Sequence, residues 1–112
     1  MRIYGLTNCD TCRKARKAFP DVEFVDYREQ PVPADTLRTW ASQRGGFEAL
    51  INKSSPSWRQ LTDAQKATQA EAGWLALLAA TPTLIKRPVL ELDDGRIVQG
   101  FKLEEWNDVI HP

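Results

Sequence analysis

The sequence predicts a single α/β domain in which helices flank a mixed four-stranded sheet. Strand-like and helical segments alternate in the first half of the chain, in the order β-α-β-α. A helical stretch without strand signals follows, and the chain then ends in a β-hairpin and a last helix. This order is typical of the thioredoxin-like fold. We therefore expect one thioredoxin-like domain over residues 1–112, with a helical insertion at about 47–80.

The first half of the chain supplies two predicted strands and two predicted helices. Residues 1–6 and 22–27 are short and rich in β-branched and aromatic side chains, which is typical of strands. Residues 12–19 carry their apolar side chains on one helical face, and Pro20 follows that segment. Residues 34–44 form the second predicted helix.

The second half begins with the helical insertion and ends with a hairpin. Thr62-Asp63 is predicted to cap a helix from Ala64 to Leu78, with a break near Gly73. Residues 89–92 and 96–98 are predicted strands, and the Asp-Gly pair between them is a hairpin signal. Residues 103–110 form the last predicted helix.

The composition limits the classes of function. Fifteen basic residues balance fifteen acidic ones, so net charge gives no case for nucleic acid or an anionic membrane. The apolar runs are all shorter than the ~20 residues of a membrane span, and the N-terminus lacks the apolar core of a signal peptide. We therefore expect a cytoplasmic protein with neither nucleic-acid nor membrane partners.

Cys9 and Cys12 are the only two cysteines, and they form a Cys-x-x-Cys motif between the first predicted strand and the first predicted helix. In the cytoplasm such a pair is more often catalytic or metal-binding than a structural disulfide. An intrachain zinc site would need about four ligands, and the chain adds only His111 to the two thiols. A redox pair is favoured, while two inert buried thiols and a zinc site shared between chains remain alternatives.

The predicted position of the cysteines has a chemical consequence. The positive end of a helix dipole stabilises a thiolate, so Cys9, just before the helix, is the predicted nucleophile. Cys12, in the first turn, is predicted to be shielded and to resolve a mixed disulfide. Four cations follow on the same helix, and they are either a solvated face or a source of positive potential for the thiolate: Arg13, Lys14, Arg16 and Lys17.

Arg87-Pro88 is a second candidate motif. In a thioredoxin-like fold, Pro88 is expected to follow a cis peptide bond, to face the cysteines and to expose backbone groups to a bound peptide or glutathione. Arg87 would then lie beside the thiols and could hold a carboxylate. An ordinary proline at a strand start is the alternative. Lys53 is a further cation that could face the site, or simply a solvated loop lysine.

Four stretches together resemble the ArsC-like family, which includes arsenate reductases, Spx regulators and YffB-type proteins. They are TNCDTCRKA, INKSSPSWRQL, IKRPVLELDDG and IVQGFKLEEW. They occur in the family's order over nearly the whole chain, and the length together with the Cys-x-x-Cys motif is closest to the YffB-type members. The resemblance implies a thioredoxin-like core with a helical insertion, with Cys9 as the reactive cysteine and Arg87 as the arginine of the Arg-Pro motif.

Departures from the family pattern argue against arsenate reduction as the main activity. Glutathione-coupled arsenate reductases carry a histidine where this chain has Gly5, and two oxyanion-binding arginines where it has Asn52 and Gly100. Lys53 could substitute for these arginines only in part. Those enzymes also lack a second cysteine like Cys12, which makes this chain more like Spx or YffB.

The resemblance therefore predicts a thiol-disulfide oxidoreductase, a thiol reductase that depends on glutathione as co-substrate and binds no cofactor. Its substrate would be glutathione, a small thiol or disulfide, or a protein disulfide. Four residues are expected to help bind it: Asn8, Thr11, Lys53 and Pro88. The alternative is a redox-switched regulator like Spx, whose disulfide changes its contacts with RNA polymerase.

Overall fold

The computed structural model describes all 112 residues and has four strands. The strands are β1 (Arg2–Gly5), β2 (Glu23–Asp26), β3 (Val89–Glu91) and β4 (Ile97–Gln99). They form one sheet in the order β2-β1-β3-β4. β1 pairs parallel with β2 and antiparallel with β3, and β3 pairs antiparallel with β4. The predicted α/β fold class with its mixed four-stranded sheet is confirmed.

Six α-helices accompany the sheet: α1 (Asp10–Ala18), α2 (Ala34–Arg44), α3 (Pro56–Arg59), α4 (Asp63–Lys66), α5 (Glu71–Ala80) and α6 (Leu103–Ile110). Two 3₁₀ turns, Phe47–Leu50 and Pro82–Leu84, lie between them. None of these helices is long and apolar enough to cross a membrane. Apart from the helical insertion, the predicted elements all form, with ends shifted by one or two residues.

The chain divides into two compact units. The first comprises residues 1–30 and 87–112, and so contains the sheet, α1 and α6. The second comprises Pro31–Lys86, and so takes in α2 as well as the insertion predicted at about 47–80. The organisation of residues 1–112 as one domain stays a prediction.

The sheet unit is built around an apolar core to which β1, β3, α1 and α6 contribute. Its members are buried side chains: Ile3, Ala15, Phe19, Leu90, Leu92 and Trp106. Burying one large apolar side chain contributes about 1.5–3 kcal/mol, so this cluster fixes the register of α1 against the sheet. That register matters because the N-terminus of α1 carries both cysteines.

Trp106 links this core to the loop after β4. Its ring lies 5.0 Å from that of Phe101, edge to face, and its indole N–H donates to the Gly100 carbonyl at 2.8 Å. The N–H of Gly100 in turn donates to the Pro88 carbonyl at 2.9 Å. The buried tryptophan therefore helps to hold the backbone at Pro88.

The prediction of a helix from Ala64 to Leu78 is wrong in the position of its break. Thr62 does cap a helix, through a capping box with Gln65, but that helix ends after one turn at Lys66. The break lies between α4 and α5 rather than near Gly73, which is inside α5. A Cβ on Gly73 would lie 2.8 Å from the Thr68 methyl, so this glycine allows the linker to pass close to α5.

Candidate active site

The two cysteines occupy the N-terminus of α1. Cys9 is the N-cap residue, with extended backbone angles, and its N–H donates to the Leu6 carbonyl at 3.2 Å. Cys12 lies in the first turn and is fully buried, whereas Cys9 is partly exposed. Both are free thiols. One sulfur can therefore meet a substrate, and the other is reached only from inside the protein.

The surroundings of Cys9 favour its thiolate. Partial burial raises the pKa of Cys9, but hydrogen bonding from the Cys12 backbone N–H and thiol, the Arg87 guanidinium and the Thr11 N–H outweighs it. The pKa of Cys9 is therefore lowered from the ordinary value of a thiol. The N-terminus of α1 thus supplies backbone donors to this sulfur, and Arg87, from the segment before β3, supplies a cation to it.

Cys12 has the opposite protonation behaviour. Burial, together with the hydrogen bond to Cys9 and the negative charge of its thiolate, raises the pKa of Cys12 to about 12, against a lowering backbone hydrogen bond at Leu6. Its proton is held in the hydrogen bond to Cys9. Of the two thiols, Cys9 is therefore the one that ionises first as the pH rises.

Gly5 provides the space that the Cys12 side chain occupies. A Cβ on Gly5 would lie 2.5 Å from the Cys12 Sγ, which is closer than real Cβ atoms approach. Gly5 is the last residue of β1, where the resembling arsenate reductases were expected to carry a histidine. The position of the Cys12 side chain thus requires a glycine at position 5.

The Arg87-Pro88 motif belongs to the same unit and lies beside the cysteines. The peptide bond between the two residues is cis, which confirms the prediction from the sequence. The partly buried guanidinium of Arg87 hydrogen-bonds to Cys9 and to the hydroxyl of Tyr27. Pro88 is fully buried at the start of β3. The structure thus brings Cys9, Cys12 and Arg87 together.

The end of β2 carries two residues that the sequence analysis did not single out. Asp26 accepts hydrogen bonds from the N–H and hydroxyl of Thr7 at 2.9 and 2.7 Å, which fixes the turn before Cys9. Burial opposes ionisation, yet these bonds lower the pKa of Asp26 to about 2, so it is ionised at neutral pH. Tyr27, which follows it, is fully buried beside Arg87.

A signal for these two residues was available in the sequence. Parallel strands that flank a βαβ crossover end at the same edge of a sheet, so the residues ending β2 lie next to the cysteine loop that ends β1. An Asp-Tyr pair at that point is polar where a buried strand would otherwise stay apolar.

The remaining predicted residues are placed as follows. Asn8 and Thr11 are exposed on either side of Cys9. Lys53 forms an ion pair with Glu48 and lies 5.4 Å from the Trp58 ring, all within the second unit. Their roles in substrate binding stay predictions.

The four cations of α1 are all exposed. Arg13 forms an ion pair with Asp10, and Arg16 lies 4.2 Å over the Phe24 ring. The cation that hydrogen-bonds to the Cys9 sulfur is instead Arg87. The arrangement favours a solvated face for these cations. No group of three or more His, Cys, Asp or Glu side chains is close enough to hold a metal ion.

The fold and this site together define a thioredoxin-like protein with two thiols at a helix N-terminus. The chain belongs to the ArsC family, which its residues 4–109 match. Membership is consistent with thiol redox function and supports an oxidoreductase in general.

Three similar proteins place the chain within that family. An uncharacterized protein of Haemophilus influenzae is 38% identical over 108 residues, covering 93% of each chain. The solved structure of a YffB protein is 36% identical and covers 96% of each chain, with a TM-score of 0.82. The global transcriptional regulator Spx of Streptococcus pyogenes is 31% identical over 88% of this chain and 75% of its own.

The asymmetry between the two thiols is testable by alkylation. We expect Cys9 of the reduced protein to react with iodoacetamide with a midpoint pH below the ordinary ~8.5 of a free thiol. Cys12 should stay unmodified in the folded protein, because it is buried and protonated. Mass spectrometry of peptides after a pH series measures both, with the urea-unfolded protein as control. A Cys9 midpoint at or above ~8.5 would contradict the assigned electrostatics.

The contact between residues 5 and 12 predicts a coupled pair of substitutions. Gly5→Ala should lower the free energy of unfolding by about 1–3 kcal/mol, because overpacking forces the Cys12 side chain away. Cys12→Ala removes the sulfur that the new Cβ would contact. Adding Gly5→Ala to Cys12→Ala should therefore lower the free energy of unfolding by much less than Gly5→Ala does in the wild-type protein. Urea unfolding of the four proteins measures the coupling. Simple additivity of the two changes would show that the alanine does not meet the thiol.

Proposed function

We propose that this protein is a thiol-disulfide oxidoreductase that uses glutathione as co-substrate, with Cys9 as nucleophile and Cys12 as resolving thiol. The observation that carries the proposal is that the two sulfurs differ in exposure and in pKa. The exposed one is stabilised as a thiolate by Arg87 and the start of α1, and the buried one keeps its proton. The alternative of two inert buried thiols is disfavoured because Cys9 is partly exposed.

In the first step the Cys9 thiolate attacks one sulfur of a substrate disulfide. A bond forms between the Cys9 Sγ and that sulfur, the substrate S–S bond breaks, and the other half leaves as a thiolate that takes a proton from solvent. The substrate is a disulfide of glutathione with a small thiol or with a protein. Arg87 would stabilise the attacking thiolate and then be available to a substrate carboxylate.

The second step requires Cys12 to lose its proton. Two of the influences that raise its pKa come from Cys9, namely the hydrogen bond to that sulfur and its negative charge. Both disappear once Cys9 is bonded to the substrate, so formation of the mixed disulfide itself acidifies Cys12. The Cys12 thiolate then attacks the Cys9 Sγ, the Cys9–Cys12 bond forms, and the second substrate thiolate leaves.

Two molecules of glutathione restore the protein. The first attacks the Cys9 sulfur and releases Cys12, and the second attacks the Cys9-bound glutathione and leaves as glutathione disulfide. Two electrons thus pass from two glutathione molecules to one substrate disulfide. We place this cycle in the cytoplasm, where the glutathione pool is kept reduced.

Arsenate reduction is disfavoured by the backbone at residue 100. Gly100 has φ +82°, in the left-handed region that residues with a side chain rarely adopt. An arginine there would be strained. At the other compared position, Asn52 uses its side-chain oxygen to accept from the Ser54 N–H at 3.0 Å. The oxyanion-binding arginines expected from the family are thus absent from both positions.

A redox-switched regulator is the second candidate, and the identity with Spx favours it. The same disulfide would then form once and change a binding surface, without repeated turnover. A multiple-turnover assay separates the two functions. Absence of turnover, together with capture of RNA polymerase by only one redox state of the protein, would favour the regulator.

The oxidoreductase is tested with Cys9→Ser and Cys12→Ser, which make the same change at the two sulfurs. The assay reduces the mixed disulfide of glutathione and 2-mercaptoethanol, with glutathione reductase and NADPH regenerating glutathione. Cys9→Ser should lower the rate to the uncatalysed value, because no other exposed thiolate is present. Cys12→Ser, mixed with the substrate disulfide before any glutathione is added, should accumulate a Cys9-linked adduct that the wild-type protein clears internally.

Intact-mass measurement of quenched reactions detects that adduct. Turnover by Cys9→Ser at the wild-type rate would exclude Cys9 as the nucleophile. Wild-type protein without turnover, tested against both glutathione and protein disulfides, would overturn the enzymatic function.

A further inference from the structure

The buried tyrosine at the end of β2 has no role in the steps above, although it contacts the arginine that they use. Tyr27 is fully buried, with no exposed surface. Its backbone N–H donates to the Gly5 carbonyl at 3.1 Å, which extends the β1–β2 pairing by one residue. Tyr27 is thereby fixed beside the strand end that receives the Cys12 thiol.

The Tyr27 hydroxyl and the Cys9 sulfur share one partner. The guanidinium of Arg87 hydrogen-bonds to both of them. Arg87 is the first residue of the segment 87–112, the second of the two segments that form the sheet unit, and it precedes the buried Pro88. Its backbone is held by that proline, whereas the direction of its long side chain depends on the groups that its guanidinium meets.

We propose that Tyr27 is the positioning residue for Arg87, holding the guanidinium beside Cys9 when that sulfur is a thiolate and also when it is in a disulfide. The inference rests on the proposed function and deepens it. When Cys9 enters a disulfide, its negative charge and most of its attraction for Arg87 are lost. The bond to Tyr27 does not depend on the redox state, so it remains.

The protonation state of Tyr27 suits this role. Burial, with a smaller effect of the nearby cysteines, raises the pKa of Tyr27 to about 12 against the opposing effect of Arg87. The hydroxyl is therefore neutral at working pH, and its oxygen accepts from the guanidinium without transferring a proton. Arg87 has five N–H donors, so a donor released by Cys9 can bind a substrate carboxylate.

Asp26 and Tyr27 each hold a different part of the site in place. Successive side chains of a strand point to opposite faces. Asp26 binds Thr7 in the turn before Cys9, and Tyr27 binds Arg87. Asp26, the last residue of β2, and Tyr27, which follows it, therefore fix the turn before the nucleophile and the cation beside it, respectively.

The test is Tyr27→Phe, which keeps the buried ring and removes the one oxygen that Arg87 contacts. Tyr4→Phe is the matched control, because Tyr4 is also buried in the sheet unit and hydrogen-bonds to a different arginine, Arg2. We expect Tyr27→Phe to lower kcat/KM for the glutathione mixed disulfide about tenfold, as for a lost hydrogen bond to a charged group. It should also raise the midpoint pH of Cys9 alkylation, while Tyr4→Phe changes neither.

A purely structural role is separated by a double variant. If Tyr27 acts through Arg87, Tyr27→Phe/Arg87→Gln should be no slower than Arg87→Gln alone. Equal effects of Tyr27→Phe and Tyr4→Phe on both readouts, or additive losses in the double variant, would overturn the proposal. Such a result leaves the oxidoreductase intact as long as Cys9→Ser is inactive. Turnover by Cys9→Ser would instead overturn the underlying function.

Discussion

The structure of this site depends on the packing of one buried thiol against the end of β1. Cys12 can lie beneath the exposed cysteine only because Gly5 has no side chain, since a Cβ there would meet the sulfur at 2.5 Å. Two thiols that hydrogen-bond to each other, as Cys9 and Cys12 do, cannot both ionise easily. The one nearer solvent, with Arg87 and two backbone N–H groups as partners, takes the charge. The other, with its raised pKa, keeps its proton.

Three chain segments converge on this pair. β1 ends at Gly5, β2 ends in Asp26 and is followed by Tyr27, and the segment before β3 supplies Arg87. The order β2-β1-β3 makes them neighbours although they are far apart in sequence. The apolar core around Trp106 holds α1 and the Pro88 backbone against the same sheet. The candidate site is thus built from two strand ends, the start of a helix and the segment before β3.

Much of this could be predicted from the sequence because the signals are local. Short-range patterns indicate the position of Cys9 before a helix and the Asp-Gly hairpin. They also indicate α2, which lies between Pro33 and Gly45. The cis bond at Pro88 was expected from the fold. The break between α4 and α5 was misplaced, because Gly73 is required by its contact with Thr68 rather than by a turn.

The supporting residues could not be predicted in the same way. Gly5 is an ordinary glycine until the depth of Cys12 is known. The polar Asp-Tyr pair indicates that Tyr27 lies at the cysteine edge of the sheet, but not that it contacts Arg87. Both contacts join residues that are distant in the chain or whose spacing has no characteristic pattern. They depend on the sheet order and on side-chain depth, which a single sequence does not contain.

The central claim, that the two sulfurs act as one redox pair, is tested most directly by equilibration in glutathione buffers. The wild-type protein is incubated with different ratios of glutathione to glutathione disulfide, quenched in acid and weighed intact. The account predicts two dominant species, the dithiol and the internal Cys9–Cys12 disulfide, whose ratio follows the buffer. A stable glutathione adduct on Cys9 with Cys12 still a thiol, or no reaction at any ratio, would contradict it.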